Sequence, residues 1–247
     1  MRRIFADLHL QPNLGDMEQA RRMIAKASEL GYRLISIPTP LSPSLAEKYA
    51  QQLRGLCQEK AIDFASRLDL KPKTPRELLQ LLRRFRRKYE IIAVTCDSKS
   101  IARQAAKDHR VDLLNFPSTD PRRRFFDKAE AELASKSQAS LEIDIKPLLV
   151  LKGPSRMRLL STLRKEAAIA EDFHVPIVVS SGATSELLMR KPLEMAALTT
   201  LFDFDKPSAL DTVSKNPLAI VKRNREKLSP RFVAPGIRLI RMGKDCS

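Results

Sequence analysis

Apolar positions along the chain alternate between two spacings. Short runs with strand-like composition fall at residues 3–10, 33–38, 62–68, 90–96, 111–116, 139–151 and 176–180. Between them apolar residues recur three and four apart, the spacing of one helix face. Asp16 is placed to cap MEQARRMIAKASEL, whose stripe includes Met23, Ala27 and Leu30, and Gly31 stops it. Thr74 followed by Pro75 opens RELLQLLRRFRRKYE, Ser98 precedes KSIARQAAKDH, and Pro154 opens SRMRLLSTLRKEAAIAEDF. Seven repeats of this β-α unit predict parallel strands joined by helical crossovers. Packed into 247 residues without an evident linker, they predict an α/β fold, a TIM-barrel-like (β/α) barrel. A doubly wound open sheet is the alternative.

After Ser185 the pattern is helical throughout, and Pro192, Pro207 and Pro217 each stand where a helix could begin, the last behind Asn216 as cap. The eighth unit is therefore expected to be degenerate and helix-rich. Residues 1–229 read as one barrel domain. Residues 230–247 read as a C-terminal tail, in which GIRLIRMG suits an added strand or a partner-binding arm.

Side chains two apart on a strand share a face. In LEIDIKP, Glu142, Asp144 and Lys146 fall opposite Leu141, Ile143 and Ile145. Asp7 and His9 fall together on the first strand, and Asp63, Arg67 and Asp69 on the third. With the apolar rows against the helices, the charged rows point inward. Asp7, His9, Arg67, Asp69, Asp144, Lys146 and Ser180 would then gather at the C-terminal mouth, where barrel enzymes carry their chemistry. Asp7, His9, Glu142 and Asp144 are the candidate catalytic or metal-binding set. They suit equally a structural network, because buried charges must be paired. The other two histidines, His109 and His174, fall at helix ends, whereas a phosphoesterase centre wants several converging His and carboxylate ligands. The structural network is the favoured reading, with no catalytic residue assigned.

Charge changes the picture more than composition does. Lys and Arg number 45 against 29 acidic residues, a net charge of +16. Such an excess attracts polyanions, nucleic acid first among them. No run is long and apolar enough to span a bilayer, and the opening MRRIFADLHL is interrupted at Asp7, so neither a membrane span nor a signal peptide is expected. Cys57, Cys96 and Cys246 are far apart and odd in number, which points to a reducing, cytoplasmic setting. With seven glycines the chain carries neither GxGxxG nor a P-loop, and it lacks GxSxG and HExxH.

The basic residues cluster. Arg83, Arg84, Arg86, Arg87 and Lys88 cover the helix whose apolar stripe is Leu78, Leu79, Leu82 and Phe85. Arg122, Arg123 and Arg124 follow the fifth strand, and Lys222, Arg223, Arg225 and Lys227 lie on the helix near Asn216. With Arg67 and Lys146 at the mouth, these are the candidate RNA contacts. Aromatic residues make up 5% and tryptophan is absent, so shape and backbone recognition is favoured over base stacking.

FADLHLQPN with GYRLISI, then LEIDIKPLL, PIVVSSGA and NPLAIVKRNREKL, occur in an order that resembles the ribonuclease P protein component 3 family, in its archaeal form. That family is similar to the polymerase-and-histidinol-phosphatase type of barrel, whose metal enzymes begin Asp/His-x-His-x-His. Asp7 and His9 match the start of that pattern and Gln11 departs from it. The resemblance implies a barrel that kept its shape and lost its metal chemistry, leaving Asp7, His9, Glu142 and Asp144 as vestiges. It implies as partners the ribonuclease P RNA, protein component 2, other subunits of the holoenzyme and, indirectly, precursor tRNA. The RNA would remove the 5′ leader using Mg²⁺, and the chain itself would bind no cofactor. A stand-alone metal-dependent phosphoesterase of the same barrel type is the alternative.

Overall fold

The computed structural model describes residues 3–234 and 237–238. Seven strands, β1 (Ala6–Asp7), β2 (Leu34–Pro38), β3 (Asp63–Leu70), β4 (Ile91–Thr95), β5 (Leu113–Asn115), β6 (Ser140–Asp144) and β7 (Ile177–Ser180), form one parallel sheet in sequence order. Helices α1 (Met17–Leu30), α2 (Pro43–Glu59), α3 (Pro75–Phe85), α4 (Lys99–Ala106) and α5 (Lys128–Ser137) each follow one of the first five strands. A short α6 (Lys146–Val150) and the long α7 (Gly153–Asp172) follow β6. The starts read from sequence are realised by capping: the Asp16 carboxylate accepts from Gln19 N at 3.1 Å and the Thr74 hydroxyl from Glu77 N at 3.2 Å. Gly31 ends α1 at φ +98°, in the left-handed region that favours glycine.

Several expected boundaries move. β1 is two residues long rather than eight, because the chain leaves the sheet after Asp7. The run at 139–151 splits: β6 stops at Asp144, and Pro147, which cannot donate to a ladder, sits in the first turn of α6. The sequence reading assigns no start to helices α2 and α5, although Ser42 and Pro43 open α2 and Ala46, Leu53, Leu56 and Cys57 form its buried face.

The degenerate eighth unit consists of α8 (Pro192–Thr199), α9 (Lys206–Thr212) and α10 (Lys215–Leu228). Their corner takes the place of an eighth strand: Ala6 N donates to Val213 O at 2.9 Å on one side, and the Asn216 side chain to Ile177 O at 2.8 Å on the other. Asn216 therefore bridges to β7 and does not cap α10. Helix α10 then crosses the N-terminal end of the barrel, where Ile220 and Val221 pack on Ala6, Leu34, Ala65, Ile91, Leu113 and Val178. This closes the floor with apolar surface and leaves polar residues to fill the upper half. The described part of the tail forms an antiparallel hairpin of β8 (Phe232–Ala234) and β9 (Ile237–Arg238), separate from the barrel sheet. The rest of GIRLIRMG, and Cys246, lie outside the described residues. Among the described residues no helix is long and apolar enough to cross a membrane.

Candidate polar centre and nucleic-acid interface

The inward row of β3 carries Ala65, Arg67 and Asp69, and that of β6 carries Glu142 and Asp144, so the upper barrel receives one cation and three carboxylates. Arg67 is fully enclosed. Its guanidinium donates Nη1 to Glu142 Oε1 at 2.6 Å, Nη2 to Glu142 Oε2 at 2.7 Å and Nε to Asp69 Oδ1 at 2.6 Å; Nη1 also reaches Leu8 O at 2.7 Å. Asn115 Nδ2 donates to Glu142 and Asp144 at 3.0 and 3.1 Å, and the Ser180 hydroxyl to Glu142 at 2.9 Å.

His9 completes the centre from the segment beyond β1. Its Nδ1 lies 2.8 Å from Asp144 Oδ1, and its Nε2 3.1 Å from Asp69 Oδ2 and 2.6 Å from the Gln11 amide. Burial and the neighbouring Arg67 charge disfavour the imidazolium, but Asp144, Asp69 and Glu142 outweigh them and push its pKa up to about 10. Burial works against ionised Asp69 and Asp144 too; Arg67 and His9 hold both below the usual carboxylate range. Two cations thus face three carboxylates.

Asp7 does not join them. Because the strand ends there, Asp7 and His9 no longer share a face, and Asp7 Oδ1 instead accepts from His9 N at 3.1 Å and Ser181 N at 3.0 Å. Burial raises its pKa against the lowering effect of hydrogen bonds from Ser181 and His9, and Oδ2 has no hydrogen-bond partner within bonding geometry among the described residues. It pins the bend that aims His9 at the mouth and ties that bend to the end of β7.

Donor atoms of His9, Glu142 and Asp144 lie within 4.8 Å of one another, close enough to suggest a metal. The residues do not fit one. Both Glu142 oxygens accept from the guanidinium, and both His9 nitrogens are already engaged, Nδ1 by Asp144 and Nε2 by Asp69 and the Gln11 amide, so the ligand atoms a cation would need are occupied. Gly182 presses on this centre at φ +59°, where a Cβ would stand 3.0 Å from that of Asp144. Above it opens a cleft of about 200 Å³ lined by Gln11, Ser118, Thr119, Asp144, Lys146 and Gly182 among others.

The basic candidates divide by partner. Arg67 cannot reach a polyanion, since it is buried and its donors are engaged. Arg124 is held by Glu166, with Nε to Oε1 at 2.8 Å and Nη2 to Oε2 at 2.5 Å, and by Phe116 O. Arg86 and Arg223 both bind Asp112, at 2.5 and 3.2 Å. Arg225 clamps Asp63 at 2.5 and 2.8 Å and pairs with Glu90, so the α10 cluster largely fastens that helix to the floor. Arg83, Arg84, Arg87, Arg122, Arg123 and Lys222 are exposed, and Lys146 is half-buried at the cleft. Sequence reasoning missed Lys152, Arg156 and Arg158, also exposed, at the start of α7. Arg158 and Ser155 line an open groove of about 540 Å³ with Thr119 and Arg122. The signal was present: α7 follows β6, so its first turn had to stand at the same mouth.

A model of the RNase P subunit p30 family matches residues 4–229. The chain belongs to that family. Ribonuclease P protein component 3 of Methanosarcina barkeri is 29% identical over 222 residues, covering 90% of each chain, and that of Methanosarcina acetivorans is 31% identical over 178 residues, covering 72% and 73%. Among solved structures, a chain of the cryo-EM structure of archaeal ribonuclease P with mature tRNA superposes with a TM-score of 0.82 at 22% identity, covering 97% of this chain and 100% of that one. That superposition shows that the fold is shared over nearly all of both chains.

Proposed function

We propose that the chain works as a protein subunit of ribonuclease P, supporting removal of the 5′ leader from precursor tRNA by binding and stabilising the catalytic RNA. The observation that carries this reading, beside the family, is a set of cations at the mouth that pair with no acidic side chain among the described residues. Lys146 lines the cleft and Arg122 and Arg158 line the adjoining groove beside Asp120, with Arg123 and Lys152 exposed next to them in sequence, while the equally basic α10 commits its arginines to internal acids. A groove-bearing basic face with few aromatics favours contact with the phosphates of structured RNA. Further partners on this reading are protein component 2 and other holoenzyme subunits, with precursor tRNA contacted indirectly. Mg²⁺ belongs to the RNA, and the setting is cytoplasmic.

Reconstitution tests the reading. The chain is combined with ribonuclease P RNA and the other protein subunits, and 5′-leader release is compared with and without it. Loss of Mg²⁺-dependent cleavage, or of RNA stability, on omission supports the proposal; identical cleavage and RNA folding without the chain overturns it. The stand-alone phosphoesterase reading loses its support where Arg67 and His9 already satisfy the carboxylates a metal would need.

A further inference from the structure

We propose that the Arg67 guanidinium is the built-in cation of the barrel centre, and that its presence, more than the shortage of histidines, keeps this chain from holding a divalent metal. Three observations converge on Arg67. It is fully buried, unlike most arginines, and arrives from the inward row of β3 among the carboxylates of Asp69 and Glu142. All three of its nitrogen atoms are engaged at the centre, at 2.6–2.7 Å. Finally, the surrounding donors already form a cation-binding set: His9, Glu142 and Asp144 offer atoms within 4.8 Å of one another, and Asp69 lies 3.1 Å from His9.

The chemistry of that set is mixed imidazole and carboxylate, which suits Zn²⁺ or Mn²⁺. Donors around zinc stand about 3.3 Å apart for bonds of roughly 2.0–2.1 Å, so a shift on the order of 1 Å would close the set on an ion. What prevents this is charge and occupancy. With Arg67 in place, Glu142 has both oxygens engaged, Asp69 has one, and the added positive charge of a metal would lie beside a fixed guanidinium that cannot deprotonate. Remove the guanidinium, and Asp69, Glu142 and Asp144 face only His9, an excess of buried negative charge that a divalent cation offsets. The Gln11 amide meets His9 Nε2, so it guards one ligand and cannot by itself close the site.

The test is metal binding by the full chain and its variants, with Zn²⁺ as the probe. Wild type, Arg67→Ala, Arg67→Gln and Arg67→Ala with His9→Ala are dialysed against chelator, then titrated by calorimetry and followed through thermal unfolding. Arg67→Ala and Arg67→Gln are expected to unfold at lower temperature than wild type without metal. They are expected to bind one Zn²⁺ and to regain roughly 5–10 °C of midpoint at a hundredfold excess over the dissociation constant. Wild type should show no saturable binding, and the double variant should lose at least tenfold in affinity. The proposal falls if folded Arg67 variants bind no zinc, if neither variant folds at any zinc concentration, or if wild type binds one zinc in a manner removed by His9→Ala.

Discussion

Arg67 and Glu142 face each other across the barrel interior and are joined by two parallel hydrogen bonds, Nη1 to Oε1 at 2.6 Å and Nη2 to Oε2 at 2.7 Å. Neither side chain is exposed to solvent. In this setting the pair matters chiefly through what remains when one member is taken away, because a lone buried charge has neither water nor partner. Arg67→Met is therefore expected to cost about 3–5 kcal/mol in urea unfolding. Combining it with Glu142→Gln should cost clearly less than the sum of the two single changes. Strict additivity would mean that the pair is not coupled.

Gly182 sits where a side chain would strike the same centre. Its φ of +59° and the 3.0 Å approach to Asp144 Cβ leave an added methyl no room unless the loop after β7 withdraws. Gly182→Ala should lower stability by about 1–3 kcal/mol, read as a lower urea midpoint at an unchanged slope. An unchanged midpoint would show that the loop yields freely.

His9 sets a stability limit on the alkaline side. Its folded pKa of about 10 lies above the ordinary 6.5, so its pairing with Asp144 and Asp69 contributes fully below pH 6.5 and is lost as pH rises through about 10. The total is on the order of 3–5 kcal/mol at 1.36 per pH unit. NMR of the His9 ring should find imidazolium at pH 8, and His9→Gln should flatten the decline in stability between pH 7 and 10. A neutral ring at pH 8 contradicts this picture.

Glu130 acts in the opposite sense. Burial pushes its carboxyl up to about 7 despite Arg103, which donates to Oε2 at 2.8 Å, while Oε1 is enclosed without a partner among the described residues. A raised carboxyl pKa means the folded chain holds the proton more tightly than the unfolded one. The penalty is absent below pH 4.5, grows through pH 7 and is complete above it. Glu130→Gln should stabilise the protein at pH 8 by on the order of 3 kcal/mol and leave it nearly unchanged at pH 4.5. Equal effects at both pH values would show that the carboxyl titrates normally.

The two kinds of arginine should separate in RNA binding. Arg122→Glu and Arg158→Glu at the open groove are expected to weaken binding of ribonuclease P RNA. For every phosphate no longer neutralised, the slope of log affinity against log salt should fall by about 0.7–0.9. Arg225→Ala, which removes the clamp on Asp63 and Glu90, should destabilise the chain by about 1–3 kcal/mol and leave that slope alone. The converse pattern would exchange the roles of mouth and floor.

How far the sequence reaches can be judged at particular residues. Period-two alternation correctly turned Arg67, Asp69, Glu142 and Asp144 inward, because β3 and β6 are regular and one face of each must meet the helices. It failed at Asp7 and His9, since two residues of regular strand are too few for alternation to hold. Charge clustering placed Arg124, and position at the mouth placed Arg67, among the nucleic-acid contacts, because a cation looks the same in sequence whether it faces solvent or a carboxylate forty-two positions away, as Arg124 faces Glu166.

By itself, then, the sequence determined the order of β-α units, the parallel barrel, the helical replacement of the eighth unit and the cationic balance of the surface. All of these follow from local periodicity, capping residues and composition, which act over a few positions. Only the tertiary structure decided that His9 and Arg67 saturate the carboxylates, that α10 seals the floor, and that Arg158 joins Arg122 in one groove. Those outcomes depend on which distant segments meet at short range, where Coulomb attraction and hydrogen bonding act, and no local pattern carries that information.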